Sequence, residues 1–460
     1  MQFLQIIKTL VLSIIIYGSC RTTLAAASSS EVTQSFNDCT EKWRLATWKI
    51  VPFPDTSAQY LSYQFSISKG KKIALAFESK FSKGIYSSFV TYDEKENFLS
   101  SLLDIQFKVL PPLRNPFVVP HFISKERSTF VNWAVSENLK EANGKGVFTL
   151  PYSKDSDSVV DIWFRVYNEI DLTPVQHPKI TAYEFDGNRL VAANCPPLKE
   201  KEYSIATEPF VKVFPYIRQP AANVEAKVPM PTETGAIHFF FPDSSSLGGN
   251  PHVRYAAARL PSLAHRNPLI RMRQKSKGII QNIGEVSILK FKIPTSPDPA
   301  HAPDSITGKE DVRYWSICLS DADTRTSDCL SLSKTRIMKN KKTGEPYAVL
   351  VVAPLGNDDQ IKKIAEARGY NFLDRASTIV PILFYRQMLA RSDFKGNIDK
   401  IKPLPIEVVR ENKDAIPYYA EKYIGEYAPT GRHCHLEDFL RNSCEMETLF
   451  AGLEKNIPKL

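Results

Sequence analysis

The sequence predicts a mainly β fold: two related β-sandwich or jelly-roll-like modules made by internal duplication, with a small helical region at the C-terminus. Composition is the first observation. Phe (26) and Tyr (19) are plentiful, Pro (32) outnumbers Gly (19), and long helical patterns are few, as in a strand- and loop-rich chain. The second is a repeated block. Tyr314-Trp315-Ser316-Ile317-Cys318-Leu319-Ser320-Asp321 has a weaker copy, Tyr86-Ser87-Ser88-Phe89-Val90-Thr91-Tyr92-Asp93, with Tyr, Ser and Asp identical in place. The third is that four more stretches repeat in the same order around it.

At 460 residues the chain has room for two or three domains. Lys8 is the only charge ahead of an apolar run over 10–17, and Ala25-Ala26-Ala27 allows an Ala-x-Ala cleavage, so 1–27 reads as an export signal. The run is shorter than the roughly 20 residues a bilayer span needs. No later stretch reads as a span, so the mature chain is expected to carry no transmembrane helix. An uncleaved anchor and a lipoprotein linked at Cys20 are the alternatives.

Residues 28–53 form a polar leader with Cys39, Trp43 and Trp48. The first β module spans 54–195. Strands are expected over 60–67, 72–77, 86–92, 104–110, 146–152 and 159–167, with an exposed turn over 93–97. A proline-rich connection, 196–250, carries Phe239-Phe240-Phe241-Pro242 and a Ser/Gly loop over 244–250; Lys275-Ser276-Lys277-Gly278 reads as exposed. The second module spans 251–410. Its 251–260 parallels the stretch around Tyr60, 284–291 parallels 70–77, 347–352 parallels 147–150, and 382–386 parallels 161–165. Residues 411–460 form the helical extension. Ile361, Ile364 and Ala365 have helical spacing ahead of Gly369, a natural cap. Leu436, Phe439 and Leu440, then Met446, Leu449, Phe450 and Leu453, give a terminal helical region one apolar face.

The formal charge of +9 falls to +7 on cleavage, because Lys8 and Arg21 leave with no acid and 57 basic residues face 50 acidic ones. The charge is spread out, so a solvated surface or an anionic envelope fits it and a nucleic-acid partner does not. Cleavage also removes Cys20 and leaves six cysteines, an even number suited to disulfides in an exported chain. Six allow fifteen pairings. Cys318 and Cys329 face each other across an expected hairpin turning near Asp323-Thr324. Cys434 and Cys444 would be about 15 Å apart on a continuous helix, so they pair only if it breaks near Arg441-Asn442-Ser443. Cys39 and Cys195 remain, and would tie the leader to the end of the first module.

Val312-Arg313-Tyr314-Trp315-Ser316-Ile317-Cys318, with Cys329 behind it, resembles a family of uncharacterised, mostly bacterial exported proteins that share an RYWSxC block. Gly344 and Tyr347, Tyr385-Arg386-Gln387-Met388-Leu389 and Lys292-Ile293-Pro294-Thr295 are similar to later family features. In the first half, 86–93 and Asn115-Pro116-Phe117 are similar too. The chain departs from the family at Ile85, where arginine is frequent. The resemblance covers about 54–400 and implies fold and export, with no activity to carry over.

Arg165 and Arg386 occupy equivalent places in two apolar strands, and an unpaired buried charge is costly. The expected partners are Asp93 and Asp321 of the repeated turn. Such pairs would either fix strand ends or line a cleft that binds a carboxylate or glycan. Trp315 reads as core, or as a sugar-stacking platform if one face is open. Asp321, Asp323 and Asp328 do not have the spacing of a Ca²⁺ loop. His433-Cys434-His435 with Cys444 has the residue types of a zinc site, but exported cysteines are oxidised, so no metal and no cofactor is expected. No Gly-x-Ser-x-Gly, Walker or dinucleotide motif is present. The leading reading is an exported, secreted or periplasmic, disulfide-bonded protein that binds a ligand or envelope component, with a glycan as one candidate. A glycan hydrolase with its site between the modules and a structural envelope protein are the alternatives.

Overall fold

In a computed structural model the described residues are 36–46, 53–95, 97–111, 114–118, 128–136, 146–170, 174–199, 236–237, 239, 250–260, 286–321, 325–340, 343–353, 358–375, 378, 381–402, 419–441 and 444. The expected export signal, Cys20, Trp48, Asp323, Phe240, Phe241, 244–249, 275–278, Met446, Leu449, Phe450 and Leu453 lie outside them.

Alternation builds the first module. It contains β1 (Arg44–Leu45), β2 (Ala58–Ile67), β3 (Ile73–Lys80), β4 (Tyr86–Asp93), β5 (Phe98–Leu103), β6 (Thr129–Val135), β7 (Val147–Thr149), β8 (Ser158–Tyr167), β9 (Lys179–Asp186) and β10 (Arg189–Ala192). Two five-stranded sheets result, in the orders β1-β2-β8-β4-β5 and β10-β9-β3-β6-β7. Leu61, Tyr63 and Phe65 of β2 meet Leu75 and Phe77 of β3, Phe89 of β4, Phe130 of β6 and Phe164 of β8 in one core. That is the sandwich arrangement, with one face of each sheet turned inward.

The second module contains β11 (Ala236–Ile237), β12 (Val253–Arg259), β13 (Val286–Lys292), β14 (Tyr314–Asp321), β15 (Thr326–Ser331), β16 (Met338–Lys339), β17 (Pro346–Val352), β18 (Asn371–Leu373), β19 (Pro381–Met388) and β20 (Thr430–Cys434). Its sheets are β12-β19-β14-β15 and β11-β20-β13-β17-β16, with β18 added parallel to β17. This is a second mainly antiparallel sandwich.

Eight strands correspond in pairing: β2, β3, β4, β5, β6, β7, β8 and β9 match β12, β13, β14, β15, β17, β18, β19 and β20, while β1, β10, β11 and β16 are particular to one module. β4 pairs with β8 as β14 pairs with β19, and the β4–β5 and β14–β15 hairpins have a register shift at the same place, Thr91/Tyr92 and Leu319/Ser320. The parallel pair β6–β7 has its counterpart in β17–β18. Two sequence expectations change here. Residues 347–352 are β17, the counterpart of β6 and not of 147–150. Residues 104–106 form a 3-10 turn, because the strand paired to β4 is β5, which opens at Phe98 directly after the 93–97 turn.

Helix α1 (Asp358–Ala367) ends as expected. Gly369 has φ +76° and the Tyr370 N–H closes on Ala365 O at 2.8 Å, the left-handed cap glycine provides. Helices α2 (Tyr419–Ile424) and α3 (Leu436–Leu440) lie within the predicted helical extension. β20 lies there too and completes a sheet of the second module. It is the counterpart of β9, separated from β19 by an inserted segment whose Phe394, Ile398, Ala420 and Ile424 join the module core. A side chain at Gly431 would strike the Ile288 carbonyl, so this strand has little apolar pattern to read. Cys39–Cys195, Cys318–Cys329 and Cys434–Cys444 are bonded. α3 stops at Leu440, which lets Cys444 return to Cys434. No helix among the described residues is long and apolar enough to cross a membrane.

Candidate functional site

The sheets carrying β4 and β14 bury their outer faces as well as their inner ones, because those faces pack on each other. Ile85, Tyr86 and Tyr167 cluster with Val253, Tyr314 and Met388, and the Tyr167 and Tyr314 rings meet edge-on at 5.0 Å. Arg165 and Arg386 both point into this shared face and are 3% and 2% exposed.

Their partners differ from those expected. Arg386 lies opposite Ser316, whereas Asp321 lies opposite Pro381. Five residues of strand, about 17 Å, separate those levels. Arg165 likewise lies opposite Ser88 and Asp93 opposite Val160. Asp93 instead closes its own turn, accepting from the Lys95 and Asn97 N–H groups, each at 2.8 Å. Asp321 is buried, and its N–H donates to Arg325 O at 2.7 Å.

The carboxylate on Arg386 is Asp55, from the segment ahead of β2. Arg386 Nη1 donates to Asp55 Oδ2 at 3.0 Å, and Nη2 to the Phe53 carbonyl. The same oxygen accepts from Tyr314 OH at 2.9 Å and Ser316 Oγ at 2.6 Å, while Oδ1 accepts from Ser57 N–H at 2.9 Å. Burial, then the Asp55 charge, holds the Tyr314 phenol well above its ordinary value, so it stays a donor. The first module thus inserts a carboxylate into the second.

The reverse contact uses equivalent residues. Asn250, the counterpart of Asp55, donates from Nδ2 to Tyr86 OH at 3.1 Å, and its Oδ1 accepts from His252 N–H at 3.1 Å. Arg165 has no carboxylate among the described residues. Its Nη2 donates to Tyr92 OH at 2.7 Å, and the guanidinium lies 4.8 Å from the Trp163 ring centroid, a cation–π arrangement.

Asp104 and His252 flank this face. Arg313, standing where the first half has Ile85, approaches Asp104 at 3.5 Å. Burial pushes Asp104 up to about 6 despite that arginine. Burial, then Arg165 and Arg254, pushes His252 down to about 4; its Nε2 meets Ser101 Oγ at 3.0 Å. The two groups act in opposite senses. The raised Asp104 contributes stability below pH about 4 that is lost as pH rises to about 6. The depressed His252 contributes stability above about 6.5 that is lost as pH falls toward 4. Each is worth at most about 3 kcal/mol. Replacing His252 by Gln is expected to make stability rise on acidification from pH 6 to 4 relative to the parent, and Asp104→Asn to make it fall. Urea titrations across that range check this; parallel profiles for all three proteins would refute it.

Trp315 is 1% exposed and packs edge-on against Phe291 at 5.5 Å, so it has no open face for a sugar. His433 Nδ1 meets Ser287 Oγ at 2.9 Å and Cys434 is bonded to Cys444, which leaves the zinc reading no free thiolate there. Asp55, Cys318 and Cys329 lie close enough to hold a cation, but both sulfurs are in the disulfide.

A second feature lies on the outer face of the first module's other sheet. Trp133 pairs with Ala76 and Tyr183 with Ala74 across β3. The two rings flank these small residues, 5.6 Å apart and inclined by 45°, and are partly exposed. Glu78, Lys80 and Lys179 stand exposed on the same face. In the second module the equivalent face is covered: Val286, Ile288, Val349 and Val351 pack under Ile361 and Ala365 of α1 and Phe439 of α3. The alternation of Phe130 and Ala134 inward with Val131 and Trp133 outward was the available sequence signal.

No family model and no curated protein matches the chain. Among solved structures it is similar to an uncharacterized protein from Burkholderia cenocepacia, with 11% identity, 76% of this chain and 78% of that one covered, and a TM-score of 0.43. It is also similar to a protein from Vibrio parahaemolyticus, with 11% identity, 88% and 94% covered, and a TM-score of 0.36.

Proposed function

We propose that this chain is an exported, non-enzymatic binding protein that takes a glycan on the outer sheet of its first module. The partly exposed Trp133–Tyr183 pair carries the reading. The C–H face of a sugar ring is apolar and suits an aromatic face, while Glu78, Lys80 and Lys179 can bond its hydroxyls. Three disulfides fit an oxidising, extracytoplasmic compartment, and the resemblance to an exported family around 312–329 and 382–389 supports secretion or a periplasmic location. A hydrolase between the modules would need two convergent carboxylates free to react. Asp55 and Asp104 on that face are each held beside an arginine.

The oxidised mature protein is expected to bind members of a broad glycan array. Trp133→Ala and Tyr183→Ala should each weaken that binding about 30-fold, the loss of a central aromatic contact, at unchanged melting temperature. Absence of any glycan signal, or full binding by the double variant, would sink the reading.

A further inference from the structure

We propose that Arg165 binds a small monovalent anion of the chloride class, buried between the modules. The argument rests on the equivalence of the two arginine sites. Tyr60 and Tyr255 are the register partners of Arg165 and Arg386, which makes Asn250 the counterpart of Asp55. The backbone agrees: Ala58 N–H bonds Asp55 O at 3.1 Å, and Val253 N–H bonds Asn250 O at 3.0 Å. In the second module Arg386 Nη1, Ser316 Oγ and Tyr314 OH converge on one anionic oxygen, Asp55 Oδ2.

In the first module the corresponding donors are Arg165 Nη1, Ser88 Oγ and Tyr86 OH. Asn250 must turn Oδ1 to the His252 N–H, so it presents the donor Nδ2 where Asp55 presents Oδ2. The Tyr86 hydroxyl accepts from that Nδ2 and lies 3.5 Å from Asn250 Oδ1, so the site has no carboxylate oxygen for Arg165 Nη1 to match Asp55 Oδ2. Arg165 Nη1 and Ser88 Oγ make no hydrogen bond among the described residues, Ser88 lying beside the Tyr86 hydroxyl; the Trp163 indole N–H is likewise unpartnered. Arg165, Ser88, Trp163 and Asn250 are all at least nine-tenths buried. The guanidinium acts on the phenols of Tyr86, Tyr92, Tyr167 and Tyr255 and on the His252 imidazole, none of them an anion near neutral pH. A buried cation in this setting lacks only a counter-charge. Donors that elsewhere in the chain close on one oxygen suit a monatomic ion better than phosphate or sulfate.

The test uses the oxidised mature protein in sodium chloride, bromide or gluconate at equal ionic strength. Chloride and bromide should stabilise it saturably, about 100-fold in the folded-to-unfolded ratio at 100 times Kd. Asn250→Asp supplies the carboxylate from within. That variant should exceed the parent's stability in gluconate and lose the halide dependence. Crystals grown in bromide should show an anomalous peak beside Arg165 Nη1. Equal melting in halide and gluconate, or bromide crystals with no such peak, overturns the proposal. So does an Asn250→Asp protein that folds but is less stable than its parent in gluconate.

Discussion

Asp55→Ala is expected to destabilise the protein by about 3–5 kcal/mol, the cost of leaving a buried cation without its partner. Asp55 is fully buried and takes five contacts: the Arg386 guanidinium, the Tyr314 and Ser316 hydroxyls, and, through its Asx turn, the Ser57 N–H, with the Tyr60 hydroxyl accepting from its own N–H at 3.2 Å. Removing the carboxylate strips the acceptor from four donors at once. Arg386→Met in the parent should cost a similar amount, because it strands the carboxylate. The double variant should cost clearly less than the sum, since neither charge is then left alone. Asp55→Asn is informative in a different way. It turns this site into a copy of the Asn250 site, so its cost measures what the first module tolerates at Arg165. Urea unfolding of the four proteins reads these values. A loss below about 1 kcal/mol for Asp55→Ala would show that the modules are held together by apolar contact and that the ion pair is replaceable.

The strands that carry periodic apolar residues could be read directly, and the Cys318–Cys329 hairpin followed from them, since these residues are register partners. Arg165 and Arg386 were recognisable as equivalent for the same reason. Their partners were not. The repeated Asp of 93 and 321 sits at a strand end, and the duplication draws the eye to it, but a charge at mid-strand can reach only what faces that level of the sheet. Asp55 does so from the other module, which no spacing along the chain encodes. Its counterpart is Asn250, so the repeat conceals the residue instead of displaying it. Trp133 and Tyr183 escaped for another reason. They lie on half-exposed strands flanked by irregular sequence, and their meaning depends on α1 covering one module while the two rings on the equivalent face of the other stay partly exposed.

Replacing Cys39 and Cys195 together by alanine is expected to cost about 5 kcal/mol, against about 3 for Cys318 and Cys329. The difference follows from loop length. The first bond spans 156 residues and the second 11, and the entropy removed from the unfolded chain grows with the logarithm of the loop. Position adds to it. The leader lies across both sheets of the first sandwich: Cys39 N–H bonds Ile180 O of β9 at 2.8 Å, Asp38 bridges to Thr181, and β1 pairs with β2. Trp43 fills the core beneath and donates to Pro178 O at 2.8 Å. The same leader runs on toward Asp55, so loosening it weakens the ion pair that joins the modules. Hydrogen exchange on the variant should therefore open residues 38–46 first and the Asp55 turn next, ahead of the strands of either core. If the Cys39/Cys195 variant loses no more stability than the Cys318/Cys329 one, the leader is an appendage and the sandwich closes without it.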